Sequence, residues 1–544
     1  MEEITPKIRV QDIDHSGIVA GIIDQMGLVE LLDQEMGTHC QEIISAGVAV
    51  KAMILNGLAL VSAPLYLFER FFVGKATSHL LGEGIEPCHL NDDKLGRVLD
   101  QLYEVGLTSL FVKVALQASE VFGVKRDCLH LDSSSFHVHG AYLRKETIDP
   151  EGKVLEEPII ITHGYSRDHR PDLKQFIVNL MCSGDGDVPL YLKVADGNES
   201  DQAVFATLMK NFREKWDCDA IFVADAALYS VDNIQSLANL RWVSRVPATI
   251  KDAEQLMEKV SEEAFVSSTL EGYKIACICN TYGGIRQRWL VIESQARLKS
   301  DLKQLDKQVH RQLEESQKKR QELEKKDFAC AADAFKEAER LNKQLRYHQL
   351  HQIEVKPIPY YNKAGRPTKR QEPDGHHYRV VAVLIPKEEV IAQATRRAGR
   401  FVLATNILES EILSWDEILI KYKEQQSTER GFRFLKDPMF FASSVFLNTP
   451  ERVASLAMVM GLCLLVYTLA QRHLRQALAN NKQTVENQLR KPTSTPTMRW
   501  VFQCFQSIHL VIFNGLQQIV NLTSEHLNIL QFLGSPCQKY YLLV

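Results

Sequence analysis

One stretch of short strands and a single helix restricts the fold more than any other part of the sequence. CLHLDSSSFHVHG at 128–140 alternates apolar and polar residues as a strand does, and PIIITHGYS, KQFIVNLMCS and VPLYLKVADG continue the strand pattern. A helix fits ESDQAVFATLMKNFREKW, and AIFVADAALYS at 220–230 is a short apolar run typical of a buried strand. This order predicts a β-sheet core, in which Asp132 ends the apolar part of the first strand and Asp225 that of the last.

The rest of the chain surrounds and interrupts this core. Apolar positions recur at helical spacing before the first strand, and helices dominate again after the insertion. The insertion itself holds short strands, a charged helical hairpin and a basic loop rich in Pro and Gly. The predicted domains are a helical N-terminal domain (1–125), the first part of the core (126–230), the insertion (231–410), the second part of the core with an acid-bearing helix (411–480) and a helical C-terminal region (481–544).

Composition and charge exclude several classes of protein. The chain has 544 residues, of which 45% are apolar and 24% charged, as in soluble globular proteins. A net charge of −4 requires that any DNA-binding surface be a local patch. The cysteines form no C-x-x-C pair, which indicates reduced thiols. MEEITPKIRV lacks the apolar core of a signal peptide, and ASLAMVMGLCLLVYTLA is at the short limit for a bilayer span, so we predict a soluble intracellular protein.

Asp132, Asp225 and a third acid, Glu429, are the strongest candidates for catalysis. Taken singly, the two aspartates can cap the turns that follow them and the glutamate can be a surface acid. Adjacent strands of one sheet would nevertheless bring the aspartates close together, which is costly unless a divalent cation lies between them. Carboxylate oxygens suit Mg²⁺ or Mn²⁺, and a third carboxylate on a helix would complete a two-metal site for displacement at a phosphodiester.

The segment YKEQQSTERGFRFLK at 422–436 carries polar side chains at seven-residue intervals. Tyr422, Glu429 and Lys436 would share one stripe of an α-helix, because seven residues make nearly two turns. The spacing therefore predicts a phenol, a carboxylate and an ammonium group on one helix face, just before a long apolar run.

These separated motifs together resemble the insertion-sequence DDE transposases. That family carries a YREK signature, Y-x2-R-x3-E-x6-K, which Tyr422, Gln425, Glu429 and Lys436 match in spacing, with Gln425 where the family has Arg. GYSRDHRPDLKQ, VADAALYS and GRFVLATN are similar to further stretches of these transposases. The resemblance extends over roughly residues 1–480.

The resemblance implies a fold, a metal site and a reaction. The fold would be of the α+β or α/β class, with an RNase H-like mixed sheet core interrupted by a β-strand and helical-hairpin insertion. Asp132, Asp225 and Glu429 would be catalytic and would hold two Mg²⁺ or Mn²⁺ ions. The reaction would be metal-dependent cleavage at transposon ends, followed by attack of the freed 3′-OH on target DNA.

The resemblance also implies partners. The protein would bind double-stranded DNA, both the terminal inverted repeats and the target, as a homodimer in the cytoplasm of a bacterium or archaeon. Tyr422 and Lys436 would contact phosphates, and Arg430 and Arg433 lie close enough on the helix to substitute for the missing arginine.

Two tryptophans and a loop arginine have two explanations each. Trp242 and Trp289 could stack on a flipped base in a hairpin intermediate or could pack in a small β-domain. Arg366, in the basic loop, could enter an A·T-rich minor groove or remain solvated.

The segment GYSRDHRPDLKQ is equally open. Arg167, Arg170 and Lys174 could contact DNA near the active site, or the two arginines could pair with Asp168 and Asp172 to shape the turn.

The sequence is also compatible with three different functions. His137 and His139 share a strand face and, with His163 and Asp225, suggest a zinc hydrolase. Two further possibilities are an inactive or domesticated DNA-binding relative of the transposases and a metal-dependent nuclease that does not transfer strands.

Overall fold

The chain folds into two compact units in the computed structural model. The residues described are 8–38, 42–140, 142, 158–165, 170–199, 201–215, 219–362, 372–437, 447 and 449–543. The first unit comprises Met1–Ser244, Tyr282–Ile285 and Leu419–Val544. The second comprises Arg245–Thr281 and Arg286–Ile418.

The described residues form helices and strands in similar numbers. The helices are α1 (Ser16–Met26), α2 (Leu28–Met36), α3 (Ala46–Gly57), α4 (Phe68–Phe72), α5 (Thr77–Leu81), α6 (Asp92–Val105), α7 (Leu107–Val121), α8 (Asp201–Lys215), α9 (Val231–Ser236), α10 (Lys251–Lys259), α11 (Gln295–Lys325), α12 (Ala331–Gln344), α13 (Glu388–Arg397), α14 (Trp415–Lys423), α15 (Gln426–Leu435), α16 (Pro450–Asn480), α17 (Met498–Cys504), α18 (Ser524–Leu533) and α19 (Ser535–Leu542). The strands are β1 (Ile8–Asp12), β2 (Cys128–Val138), β3 (Lys174–Ser183), β4 (Pro189–Ala195), β5 (Ile221–Ala224), β6 (Arg241–Val246), β7 (Val266–Ser267), β8 (Tyr273–Tyr282), β9 (Ile285–Ser294), β10 (His348–Tyr360), β11 (Gly375–Pro386), β12 (Arg400–Thr405), β13 (Val485–Glu486), β14 (Pro492–Thr493), β15 (His509–Phe513) and β16 (Leu516–Val520).

A mixed sheet forms the centre of the first unit, as the strand pattern predicts. Its strands follow the order β4-β3-β2-β5-β6. β2 pairs antiparallel with β3, and β3 with β4, whereas β2, β5 and β6 run parallel. All four residues of β5 are buried, which explains its uninterrupted apolar sequence, because a parallel strand is covered on both faces.

Helices cover both faces of this sheet. On one face, Phe212 of α8 packs edge-on against Tyr191 of β4 and Phe222 of β5. On the other, α7, α15 and α16 pack against β2, β3 and β4. A Cβ atom on Gly461 of α16 would lie 2.4 Å from the Leu192 side chain, so α16 approaches β4 very closely.

Helix α16 contains the long apolar segment. It is the helix, among the residues described, that is long and apolar enough to cross a membrane, yet 89% of its apolar window is buried inside the protein. Such burial is typical of a core helix of a globular protein.

The first and last parts of the chain fold together. Strand β1 pairs with β15, which pairs with β16, and α1 packs on α19. The C-terminal region therefore contains four strands as well as helices, and the helices before β2 belong to the same compact unit as the sheet.

The second unit contains two consecutive helices, α11 and α12, within the predicted insertion. Its strands follow the order β12-β9-β8-β7, and α11 and α12 pack against the separate β10–β11 hairpin. The apolar residues of this contact share one cluster: Leu323, Phe328, Ala334, Ala338, Leu345, Leu350, Val380 and Ala382. The second arm of the predicted hairpin, expected over about 330–350, ends at Gln344, and 348–360 is a strand because its backbone pairs with β11.

A buried arginine joins α16 to the start of the sheet. Arg472 donates to the carbonyl oxygens of Phe122 and Gly123 at 2.8 Å each and to the Asp185 carboxylate at 2.5 Å. Burial alone would raise the pKa of Asp185, but hydrogen bonds from Arg472 and from the Lys125 backbone outweigh it, so this pKa lies below its usual value.

We expect Arg472→Met to destabilise the protein by about 3–5 kcal/mol at pH 7, because it removes the cation that pairs with the half-buried Asp185 carboxylate and the donor to two carbonyl groups. A lowered carboxyl pKa stabilises the folded state above the unfolded pKa, and the contribution is lost as the pH falls through the folded value. The difference between variant and parent should therefore shrink in acid. Denaturant unfolding at several pH values measures it.

Arg241→Met is the matched control, since Arg241 pairs with Asp219 on the surface and exposed pairs contribute little. Equal destabilisation by the two substitutions would contradict the role given to Arg472.

Candidate active site

The two aspartates follow paired residues of neighbouring parallel strands. In the β2–β5 ladder the last pair is Leu131 with Ala224, so Asp132 and Asp225 are the next residues on each strand. Paired residues of parallel strands point to the same face, and the strands are about 4.8 Å apart. Asp132 lies inside β2, which continues to Val138, whereas Asp225 directly follows the last residue of β5.

Local hydrogen bonds orient both carboxylates. Asp225 Oδ1 accepts from the backbone N–H of Ala227 at 2.8 Å and caps a 3-10 turn, Ala226–Leu228. Asp132 Oδ1 accepts from the Ser133 backbone N–H at 2.8 Å. Asp225 therefore caps the turn that follows it, as its structural role predicts. A carboxylate has about four lone-pair sites, so this cap leaves sites that can bind a metal ion.

Helix α15 lies over the face of β2 that carries Asp132. A Cβ atom on Gly431 would lie 3.0 Å from the side chain of Leu180, which is the ladder partner of Asp132 on β3. Lys436, at the end of α15, places Nζ 5.4 Å from the ring centre of Phe136, and Phe136 shares the Asp132 face of β2. The close approach at Gly431 sets the height of the helix above the sheet.

The position of Glu429 follows from the two flanks of α15. Glu429 and Lys436 are seven residues apart and share one flank, which faces β2 because of the contact with Phe136. Arg430 projects from the opposite flank, where it pairs with Asp187 in the β3–β4 turn. Glu429 itself is exposed.

The three carboxylates do not form a closed group in this structure. Among the residues described, the one set of three or more metal-ligating side chains with ligand atoms within 4.8 Å of one another consists of Cys128, His130 and Glu424. A two-metal site spreads its ligands over ions about 3.5–4 Å apart, so its outer carboxylates are farther apart than ligands of a single ion. The set suggested for a zinc hydrolase, His137, His139, His163 and Asp225, is not brought together either.

The predicted single stripe from Tyr422 to Lys436 is wrong, because the segment forms two helices. α14 ends at Lys423 and α15 begins at Gln426. Between them the backbone makes tighter three-residue bonds, from Ser427 N–H to Glu424 O and from Thr428 N–H to Gln425 O. Three residues per turn replace 3.6 there, so the seven-residue alignment fails for Tyr422 and holds only for Glu429 and Lys436.

The predicted arginine contacts divide into a paired and an unpaired residue. Arg430 donates two hydrogen bonds to Asp187, at 2.6 and 2.7 Å, so its charge is already compensated. Arg433 is exposed, and among the described residues it has no carboxylate partner. It lines a cavity of about 550 Å³ together with Arg475 and Arg499.

Sequence reasoning missed Arg475 and Arg499, which come from α16 and α17. Arg499 pairs with Asp437, but Arg475 only donates to the Pro496 carbonyl oxygen among the residues described. Burial lowers the pKa of Arg475. No local motif marks these residues, because they lie 40 or more positions after Arg433 in the sequence and come near it only in the fold.

Most of the other residues predicted to contact DNA are buried or paired with neighbouring side chains. Trp242 and Trp289 are both 0% exposed, so neither offers a ring face for stacking and the packing explanation holds for both. Arg170 makes a bidentate pair with Asp172, as its structural explanation requires. Lys174 is the half-buried first residue of β3. Arg167 and Arg366 lie outside the described residues.

The sheet and its acidic side chains fit a class of α/β enzymes that hold divalent metal ions on carboxylates. A family model for the transposase DDE domain matches residues 124–468, and a second, a domain of unknown function (DUF4277), matches residues 8–116. The first match covers more than half of the chain, so the protein belongs to the DDE transposase family and is an enzyme of that kind. Such transposases generally use divalent metal ions.

Solved transposase structures show a weaker similarity. The piggyBac transposase synaptic complex with hairpin DNA, determined by cryo-EM, has a TM-score of 0.37 and 8% identity over 92% of this chain and 83% of that chain. The Mos1 transposase paired-end complex with left transposon end has a TM-score of 0.15 and 13% identity over 30% of this chain and 53% of that chain. At these scores neither structure defines the fold of this protein. No curated protein matches the sequence.

We expect Gly431→Val to lower stability by about 1–3 kcal/mol and to displace α15, because its side chain would meet Leu180 and Leu464. Denaturant unfolding measures the first effect, and hydrogen exchange of the α15 amides measures the second.

Arg433→Val places the same side chain on an exposed turn of the same helix and serves as the control, with only the small propensity cost of valine. Equal effects at the two positions would show that Gly431 has no special packing role.

Proposed function

We propose that this transposase cleaves DNA at transposon ends and joins the freed 3′-OH to target DNA. The observation that supports this most is the register of β2 and β5, which aligns Asp132 with Asp225 in a chain of the DDE family. Both steps are in-line displacements at a phosphodiester, and one carboxylate-bound metal site can serve both.

Asp132, Asp225 and Glu429 are the proposed metal ligands. All three donors are carboxylate oxygens, which fits Mg²⁺ or Mn²⁺ and disfavours soft ions. Two such ions, when bound, supply the activation of the attacking oxygen and the stabilisation of the leaving one. The protein's own part is orientation: the Ala227 and Ser133 amides hold the aspartates, and α15 carries Glu429 along the edge of β2.

Two observations support an RNase H-like core of the YREK group, and one residue departs from the YREK signature. The sheet order β4-β3-β2-β5-β6, antiparallel and then parallel, supports an RNase H-like core. Glu429 and Lys436 keep the YREK spacing on one flank of α15, whereas Gln425 replaces the arginine and occupies the junction between two helices. We therefore propose membership of the YREK group with an altered first half of the signature.

Phosphate binding is proposed for Lys436, Arg433 and the cavity beside it. Arg433 and Arg475 add charge to this cavity without a carboxylate partner among the described residues, and desolvation makes such charge favourable to an anion. Arg430 is a weaker candidate because Asp187 already pairs with it. Tyr422 remains a candidate from the preceding helix.

Partners and domain roles follow from the proposed reaction. The substrates are double-stranded DNA of the terminal inverted repeats and of the target, and a homodimer would bring two ends together. The N-terminal domain, residues 1–125, is proposed to bind the transposon ends, residues 231–410 are proposed as the insertion, and the proposed site of action is the bacterial or archaeal nucleoid.

The central test uses purified protein, Mg²⁺ or Mn²⁺ and a labelled duplex taken from the DNA that flanks the coding sequence. We expect nicking and joining, with Asp225→Asn and Glu429→Gln each reducing the rate at least about a hundredfold, because each removes a metal ligand that stabilises the transition state. Gel analysis of the labelled strands separates the two steps.

Asp219→Asn is the control, since Asp219 is an exposed acid just before β5, at the strand end opposite to Asp225. Nicking that survives Asp225→Asn would overturn the site assignment. Binding without cleavage would indicate an inactive relative, and cleavage without joining a nuclease.

We further expect Arg433→Gln and Arg475→Gln to weaken DNA binding at all sequences and to reduce the slope of log affinity against log salt by about 1 each. Fluorescence anisotropy over a salt series measures both effects. Arg430→Gln should change the slope less, because its charge is compensated by Asp187. Equal slopes for all three variants and the parent would exclude the cavity from phosphate binding.

A further inference from the structure

A second group of metal-ligating side chains lies on the same face of β2 as Asp132. Cys128, His130 and Asp132 alternate along the strand and therefore point the same way. Glu424, at the junction of α14 and α15, reaches this face, and its carboxylate, the Cys128 thiol and the His130 imidazole bring ligand atoms within 4.8 Å of one another.

The distances suit a single tetrahedral ion. Cys128 Sγ and His130 Nε2 are 3.5 Å apart. Zinc binds sulfur at about 2.3 Å and imidazole nitrogen at about 2.0–2.1 Å, so a tetrahedral angle separates these two ligands by about 3.5 Å. The pair therefore already has the separation that a shared zinc ion requires.

The imidazole of this cluster has few partners. Cys128 Sγ is the one hydrogen-bond partner of His130 among the described residues, although the imidazole is 0% exposed. His130 Nδ1 has no partner there. Withdrawing such groups from water is costly, and a bound cation would satisfy the thiolate, the imidazole and the carboxylate together.

A glycine keeps the space between these side chains open. A Cβ atom on Gly184 would lie 3.3 Å from His130 Nε2, 3.5 Å from Glu424 Oε2 and 3.6 Å from Cys128 Cβ. Any larger residue in this turn would enter the volume around which the three ligands are arranged.

We propose that Cys128, His130 and Glu424 bind one Zn²⁺ ion, separate from the carboxylate site. Thiolate and imidazole ligands select zinc over Mg²⁺, whereas the carboxylates of the catalytic site prefer the harder ion. Three protein ligands leave a fourth position for water. Because Glu424 lies at the junction before α15, the ion holds the start of that helix against β2, five residues before Glu429.

Cobalt binding tests this proposal on the full-length protein without DNA. We expect one equivalent of Co²⁺ to bind with a near-ultraviolet thiolate-to-metal absorption band, and Zn²⁺ to displace it. Cys128→Ser should abolish the band, and Glu424→Gln should weaken Co²⁺ binding at least about tenfold. Glu424 is exposed, so its variant remains informative even if the buried substitution unfolds the protein.

Two variants control for other thiols and for the catalytic site. Cys182 is a buried thiol on β3, paired directly with His130, but it is not part of the group, so Cys182→Ser should keep the band. Asp225→Asn should also keep the absorption band, because Asp225 belongs to the proposed catalytic site. The zinc proposal can therefore fail or succeed independently of the proposed function. Absence of the band in the parent protein, or its persistence in Cys128→Ser, would overturn the proposal and leave a buried thiol–imidazole hydrogen bond.

Discussion

The pairing of β2 with β5 is the constraint on which the rest of the site depends. Leu131 and Ala224 are ladder partners, so Asp132 within β2 and Asp225 just after β5 follow paired positions. Side chains alternate along a strand, and a slip of one residue would send Asp132 to the opposite face from Asp225. The buried residues of both strands oppose such a slip, because it would exchange the close-packed side chains of the two faces. The core thereby determines the relative position of the two acids.

A close contact between α15 and the sheet positions the helix that carries the proposed third ligand. In α15 the buried residues Ser427, Thr428, Gly431, Phe432 and Leu435 form one face, and the charged residues occupy the flanks and the exposed side. The small side chain at Gly431 lets this polar helix approach Leu180, and the pair of Arg430 with Asp187 holds its far flank. The near flank is left for Glu429 and Lys436. Packing and ion pairing therefore position the helix that carries Glu429, the proposed third ligand, whereas helix propensity alone would not.

The sequence predicted those features that depend on local pattern. Alternation and apolar runs located β2, β3, β4 and β5, and the position of each aspartate after apolar residues followed from the same pattern. The break between α14 and α15 escaped prediction, because three-residue hydrogen bonds at Gln425 leave no periodic signal. Pairing of Arg430 with Asp187 and the approach of Arg475 depend on residues distant in the chain. Burial of Trp242 and Trp289 depends equally on strands that come together only in the fold.

One face of β2 carries ligands of two kinds, and their order along the strand has a chemical consequence. Zinc binds most protein sites more tightly than magnesium does, so hardness of the ligands alone cannot keep zinc away from carboxylates. A thiolate and an imidazole beside the acids offer zinc a better set of ligands than carboxylates alone. With zinc held by Cys128 and His130, Asp132 remains available to the harder ion. The proposed zinc site would then hold α15 in place. The proposed catalytic site depends on that position, because α15 carries Glu429.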